Sequence, residues 1–338
     1  MCFNGVFTHR MPAGSSPLRV AFLGCGFITR VHSGHLRALG RAIAPSYASR
    51  DRAKADAYTR RYGGVRAYGS YEEAIADPSI DAVVVAVPPS FHLDLTLRAL
   101  EAGKHVLVEK PAFFSAADYE TVLAAQARAG RVILVGENDH YKPLAVTLRR
   151  LLADEAVGDM VFAQFVTVAH RLKPADDWRN DEAMAGGDAF FEEGIHWLHI
   201  AGSLGPSITS IQGHRPSISR SGPDRRAKSL LVSFRYDNDA VGTLYYSREI
   251  PSLLHGLRIS RIMGREGSIS FESNGLFVFV HGRRTSFSVP GLLRDIRGYQ
   301  AMYRDFAGAI AEGRAPEMSL QRALEDQRLM DRIYASVG

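Results

Sequence analysis

The sequence predicts an α/β protein of two domains: a doubly wound parallel sheet, then an α/β domain with a mostly antiparallel open sheet. Three observations predict it. The chain has 338 residues, and a prior of about 150 residues per domain gives two. Its first half alternates short apolar runs with helical segments, the rhythm of βαβ units. Beyond about Asp154, longer alternating segments separated by turn residues replace that rhythm, as in a sheet with one open face. Hydrophobic residues at 46% and charged residues at 23% lie near globular averages and exclude a disordered or fibrous chain.

The elements follow in order. Residues 1–17 read as a loose tail ending in Gly-Ser-Ser-Pro, with no apolar core of a secretory signal. Leu18 to Leu23 is a short apolar strand running into glycine, and Ile28 to Leu39 has helical spacing. Ala42 to Ala48 is a second strand, and Lys54 to Tyr62 a helix stopped by Gly63-Gly64. Asp81 to Val87 is the clearest buried strand, closed by Pro88-Pro89, and Phe91 to Ala102 is a helix ended by Gly103. His105 to Glu109 is a strand stopped by Pro111, with one more helix and strand at Ala116 to Ala129 and Val132 to Val135. In the second half, strands are expected at Met160 to His170, Leu230 to Tyr236, Ala240 to Ser247, Leu257 to Met263, Ser268 to Glu272 and Leu276 to His281. Helices are expected at Ala189 to Leu204, Leu293 to Ala311 and Leu320 to Ala335. The domains are placed at 18–140 and 141–338, the terminal helices able to pack back on the first domain. No internal repeat or low-complexity block is present.

Charge and cysteine content narrow the function classes. Forty-one basic against 36 acidic residues give a net charge of +5, carried in mixed-sign stretches such as Arg322 to Arg332. No nucleic-acid reading motif accompanies it, so nucleic acid is not an expected partner; a phosphate-bearing cofactor or an anionic substrate suits the surface. No apolar run nears the roughly 20 residues that cross a bilayer. The two cysteines, Cys2 and Cys25, cannot build a disulfide framework. A cytoplasmic protein without a membrane partner is expected.

Gly24-Cys-Gly-Phe-Ile-Thr29 stands between the first strand and the first helix. Gly24 permits the tight turn, and Gly26 lets a pyrophosphate approach the backbone and the positive end of the helix. Thr29 replaces the third glycine of the dinucleotide pattern. Cofactor type is set at the end of the second strand, where Ser49 and Arg50 offer a hydroxyl and a guanidinium for a 2′-phosphate; NADP is expected, with NAD open if Asp51 takes the ribose instead. Lys110 lies just past a strand's carboxyl end, where ligands bind in open α/β sheets. Its ammonium suits a substrate oxygen on which charge develops. Glu192, His196 and His199 fall at i, i+4 and i+7, one face of a helix. Those side chains also suit zinc or iron, but no second, distant cluster of ligands accompanies them and no metal is expected. Asn138 and Tyr141, after the sixth strand, and Trp178-Arg179, an aromatic platform beside a fork of donors, are candidates for ligand contact.

The segment Gly-Lys-His-Val-Leu-Val-Glu-Lys-Pro, 103–111, resembles the signature of the Gfo/Idh/MocA oxidoreductase family. Pro88-Pro89-Ser-Phe-His92, Gly186-Gly-Asp-Ala-Phe-Phe-Glu-Glu-Gly-Ile-His196 and Asp305-Phe-Ala-Gly-Ala-Ile310 with Gly313-Arg-Ala-Pro316 resemble further segments of it, from Leu18 to near the end of the chain. The resemblance implies a Rossmann domain followed by an open-sheet domain. It also implies hydride transfer between NAD(P) and a carbinol or keto carbon of a sugar, amino sugar or cyclitol. By the same resemblance Lys110 and His196 are catalytic, Glu192 orients the imidazole from a position where the family has aspartate, and His199 replaces another aspartate at the substrate. Phe27, Ile28, Pro88, His92, Glu109 and Asn138 are expected to contact the cofactor, and Tyr141, Trp178 and Arg179 the substrate. Two other function classes stay open: a glycosidase that oxidises C3 transiently with bound NAD, and a non-catalytic dinucleotide sensor, against which the retention of Lys110 and His196 argues. A homodimer or homotetramer is expected, formed by open faces that carry residues such as Phe234, Val241, Leu244 and Phe271 on one side or the other.

Overall fold

The computed structural model describes residues 16–171, 177–216, 228–251, 257–292 and 295–337. Most of the expected N-terminal tail, with Cys2, and Leu293 lie outside these residues. Two compact units divide the chain: the first runs to Asn138 and adds Tyr299–Leu324, and the second comprises Asp139–Gly298 and Glu325–Gly338.

In the first unit six parallel strands, β1 (Leu18–Leu23), β2 (Ile43–Ala48), β3 (Ala67–Tyr68), β4 (Ala82–Val85), β5 (His105–Glu109) and β6 (Ile133–Gly136), stand in the order β3-β2-β1-β4-β5-β6. This is the doubly wound dinucleotide-binding order, whose switch point falls between β1 and β4. The four residues of β4 are wholly buried, which explains their unbroken apolar run. Helices α1 (Phe27–Leu36), α2 (Arg52–Tyr62), α3 (Tyr71–Ala76), α4 (His92–Glu101) and α5 (Ala116–Ala129) follow the strands. Caps explain several boundaries. Asp51 caps α2, Ser70 caps α3, and Ser115 with Asp118 forms a capping box on α5. Phe22 of β1 stacks on Tyr47 of β2 at 5.5 Å in the core.

The second unit contains helices α6 (Pro143–Ala153), α7 (Glu182–Ala185) and α8 (Ile195–Gly202). Its strands are β7 (Met160–Val168), β8 (Ile208–His214), β9 (Ser229–Tyr236), β10 (Val241–Ser247), β11 (Ile259–Gly264), β12 (Gly267–Glu272), β13 (Val278–His281) and β14 (Ser286–Ser288). They form one sheet in the order β14-β13-β12-β11-β7-β10-β9-β8. The β7–β10 pair is parallel and the others are antiparallel. One face is packed: Phe165 lies beside Trp197 of α8 and Phe271 of β12, and the Tyr236 hydroxyl donates to the Ala201 carbonyl. Register sorts the residues expected on the sheet. Phe234, Leu244 and Phe271 are buried on the packed face, whereas Val241 shares the other face with Phe162, Tyr245, Ile259, Phe279 and Phe287.

The chain closes with α9 (Tyr299–Glu312), which belongs to the first unit and packs on α1, and α10 (Leu320–Ser336), whose first five residues count with the first unit and the rest with the second. No described helix is long and apolar enough to cross a membrane.

Candidate active site

The β1–α1 turn is built by Gly24. Its φ is +112°, and an added Cβ would stand 2.5 Å from the Ala86 carbonyl oxygen, so no other residue fits. Gly26 is the N-cap of α1, has open space where a Cβ would point, and provides no side chain to cap the helix. No acidic residue lies in the first turn. The N-terminal amides and the positive end of the helix dipole are therefore left to an anion such as a phosphate group. Burial pushes the neighbouring Cys25 thiol up to about 11, against an opposing pull from Lys54, so no thiolate competes there. Thr29, in place of the third glycine, is buried and donates from Oγ1 to the Gly24 carbonyl at 2.8 Å. That bond ties the helix to the turn, where loosened packing is the simpler expectation. Phe27 is 62% exposed at the rim, and Ile28 is half-buried.

At the end of β2, buried Ser49 accepts a hydrogen bond from the Asp51 amide at 3.2 Å, and Arg50 is exposed. Asp51 accepts from the Ala53 amide at 3.0 Å as the cap of α2. Burial raises the phenol of Tyr71, while the Arg50 guanidinium beside it pulls the other way.

After β5, the Lys110–Pro111 peptide bond is cis and Lys110 is half-buried. Glu109, expected at the cofactor, is 5% exposed; its Oε1 pairs with His32 Nε2 at 2.8 Å, and His32 Nδ1 bonds the Tyr303 hydroxyl at 2.7 Å. The side chain beside Lys110 is thus anchored inside the unit. His92 is likewise buried. Its ring nitrogens face the carbonyls of Val87 (2.9 Å), Pro111 and Ala112 (both 3.1 Å), and burial lowers its pKa. It ties the half-buried Pro88 loop to the turn after Lys110, and its ring is spent on the backbone. Asn138 is also buried.

In the second unit the segment before α8 departs from the expected regular helix. Phe190–Gly194 is a π-helical turn, with the Phe190 ring packed where a Cβ on Gly194 would stand. Such a turn winds slightly wider than an α-turn, so Glu192 and His196, four residues apart, stay near one face. Glu192 pairs through Oε1 with Arg179 Nε at 2.6 Å. Asp139 faces His196, its Oδ1 3.9 Å from Nδ1, and also takes Lys142 Nζ at 2.6 Å. Arg179 bonds Asp177 as well and lies 4.5 Å over the Trp178 ring, so two carboxylates already balance its charge.

His199 is 1% exposed, with Nδ1 on Asp326 (2.7 Å) and Nε2 on His140 (2.9 Å). Both nitrogens are committed inside the protein, which corrects its expected place at the substrate. Tyr141 is buried, edge-on to the His140 ring at 4.9 Å. The side chains with metal-ligand chemistry that come together here are Glu137, Asp139 and His196, their ligand atoms within 4.8 Å of one another, rather than the Glu192, His196 and His199 set weighed from the sequence. Sequence reasoning missed Asp139, His140, His32 and Asp326. Position after a strand end could have singled out Asp139 and His140.

Residues 18–137 match an oxidoreductase family with an NAD-binding Rossmann fold, and residues 145–270 match the GFO/IDH/MocA C-terminal domain. The chain belongs to the Gfo/Idh/MocA oxidoreductase family. Among curated relatives, this Gfo/Idh/MocA chain is 28% identical over 253 residues to trans-1,2-dihydrobenzene-1,2-diol dehydrogenase of Xenopus laevis, covering 72% of each chain. It is 28% identical over 296 residues to D-xylose 1-dehydrogenase (NADP(+)) 2 of Haloferax volcanii, covering 87% of this chain and 89% of the relative. Among solved structures, aldose-aldose oxidoreductase from Caulobacter crescentus complexed with glycerol superposes with a TM-score of 0.84 at 23% identity, over 95% of this chain and 97% of that one. At that identity the likeness is one of fold.

Proposed function

We propose that this oxidoreductase is an NADP(H)-preferring dehydrogenase or ketoreductase acting on a carbinol carbon of a sugar, amino sugar or cyclitol. The observation that carries the reading is that one sheet places an uncapped helix N-terminus at Gly24–Gly26 and the Lys110 ammonium, both just past strand carboxyl ends. The named diol and xylose dehydrogenases among its relatives support the CH–OH chemistry. The Gly24–Gly26 amides hold the pyrophosphate, Ser49 and Arg50 the adenosine 2′-phosphate, and Phe27, Ile28, Pro88 and Asn138 line the dinucleotide. The bound nicotinamide supplies the hydride acceptor or donor. Lys110 Nζ donates a hydrogen bond to the substrate oxygen and stabilises the alkoxide charge that develops there. His196 takes the hydroxyl proton, and the Asp139 carboxylate stabilises the imidazolium that forms. Trp178 offers an apolar platform for the sugar ring. The test is nicotinamide absorbance with a panel of sugars, amino sugars and cyclitols, run in both directions. Sugar release from glycosides with no net absorbance change would overturn the dehydrogenase in favour of transient C3 oxidation.

Cofactor preference has its own expected result. Loss of a charge-assisted phosphate contact costs about ten- to a hundredfold in affinity. Calorimetry is expected to find NADP(H) bound more tightly than NAD(H) by that factor, and Arg50→Ala to remove most of the difference. Equal or tighter NAD(H) binding would return the ribose to Asp51.

The open sheet face supports a dimer. Phe162 (52% exposed), Tyr245 (40%), Ile259 (37%), Phe279 (40%) and Phe287 (65%) share it with Gln164, Thr243 and Arg261. Two such faces packed about a two-fold axis cover this area, and dimers can pair again. Light scattering behind size-exclusion chromatography is expected to give at least twice the 37.1 kDa chain mass. A 37.1 kDa species at every concentration would exclude the pairing.

A further inference from the structure

In the second unit, two residues of one turn face two residues of one helix. Asp139 and His140 are consecutive after β6, and His196 and His199 lie one turn apart on α8. Asp139 stands 3.9 Å from His196, and His140 Nδ1 is 2.9 Å from His199 Nε2. Behind them His199 Nδ1 meets Asp326 Oδ2 of α10 at 2.7 Å. His140, His199 and Asp326 are 4%, 1% and 6% exposed.

We propose that Asp326, His199 and His140 form a carboxylate–imidazole–imidazole chain that fixes the tautomer of both rings and holds Asp139 against His196. They are positioning residues, and this role rests on the proton-acceptor reading of His196. A hydrogen bond between two neutral imidazoles needs one donor and one acceptor, so the pair can run in either direction. The carboxylate of Asp326, acting as the acceptor, decides. His199 therefore carries its proton on Nδ1, its Nε2 accepts, and His140 donates from Nδ1. One charge sets proton positions two rings away in a dry network, where such bonds are strong only if every role is filled. The backbone carries the consequence forward. Arg149 Nη2 grips the His140 carbonyl at 2.7 Å, so the turn is held at both the ring and the main chain. Asp139 directly precedes the clamped residue and is held facing the next turn of the same helix. The imidazole at 199, where the family resemblance expects aspartate, belongs with Asp326, since an acid in its place would meet that carboxylate in a dry setting and raise a pKa.

The test combines histidine-ring ¹⁵N spectra of the full chain with steady-state kinetics. The wild type is expected to show Nδ1–H tautomers at both His140 and His199. Asp326→Asn keeps the shape and removes the charge. It is expected to lose the single tautomer at both rings and to lower kcat about tenfold, the scale on which outer carboxylate partners of a histidine act, while the KM for cofactor stays within about twofold. Asp326→Glu should recover part of both signals, a rescue that a purely structural loss would not give. Nε2–H tautomers in the wild type, or an Asp326→Asn variant with wild-type spectra and kcat, would overturn the proposal. The ring spectra need no turnover, so they separate its failure from that of the catalytic reading. A fully active His196→Ala variant would remove the role of His196, and with it the positioning role, leaving the tautomer chain to stand or fall on the spectra alone.

Discussion

Lys110→Ala and His196→Ala are each expected to lower kcat by about two to four powers of ten, the range for loss of positioned acid–base and oxyanion-stabilising groups, with cofactor affinity retained. The two should differ in detail. In the proposed roles Lys110 meets the substrate oxygen, so its loss is expected to fall on kcat/KM as a whole, whereas the loss of His196 as proton acceptor is expected to fall mainly on kcat. Asp139→Asn, which removes the carboxylate proposed to steady the imidazolium, should give a smaller loss than His196→Ala. Glu192→Gln should be milder still, because the Glu192 carboxylate serves Arg179. Steady-state kinetics with NADP(H) and the best sugar of the panel check the series. A His196→Ala variant near wild-type turnover would refute the role given to that ring.

His32→Leu is expected to destabilise the first unit by about 1–3 kcal/mol, the cost of leaving buried polar partners without their hydrogen bonds. His32 is fully buried, it bonds both Glu109 and Tyr303, and it stacks edge-on to Tyr299 at 4.7 Å. In the Glu109→Gln background the His32→Leu loss is expected to shrink, since the two residues share one hydrogen bond. Urea unfolding of the two variants checks this. A midpoint unchanged by His32→Leu would show that the pair contributes nothing.

How much of this was legible depends on how local each cause is. The strands β1, β4, β5 and β6 were read within a few residues because each is mostly a buried apolar run, and β2, which carries Pro45 and Ser46, was read from its place in the βαβ rhythm. The helix α5 was read to the residue, since Ser115 and Gly130 punctuate it. The strands β3, β8 and β14 were missed. β3 has two residues, and β8 is a half-exposed edge strand without apolar alternation. Gly24 and Gly26 were legible because a turn states its needs in its own residues. The pairing of Glu192 with Arg179, 13 residues earlier, and the π-turn at Phe190–Gly194 were not legible from spacing. His199 and Glu109 were visible as polar residues, but their partners were not. Asp326 lies 127 residues from His199, and Glu109 lies 77 from His32. A single sequence carries no signal for such pairings.

The central claim is that the dinucleotide site and the Lys110 ammonium act together in carbinol chemistry. Single-turnover absorbance of Lys110→Ala, saturated with NADP(H) as verified by calorimetry and mixed with the best substrate of the panel, tests it most directly. The account predicts cofactor binding within a few-fold of wild type and a nicotinamide absorbance change slowed by at least about a hundredfold. An absorbance change at the wild-type rate in that variant would contradict it.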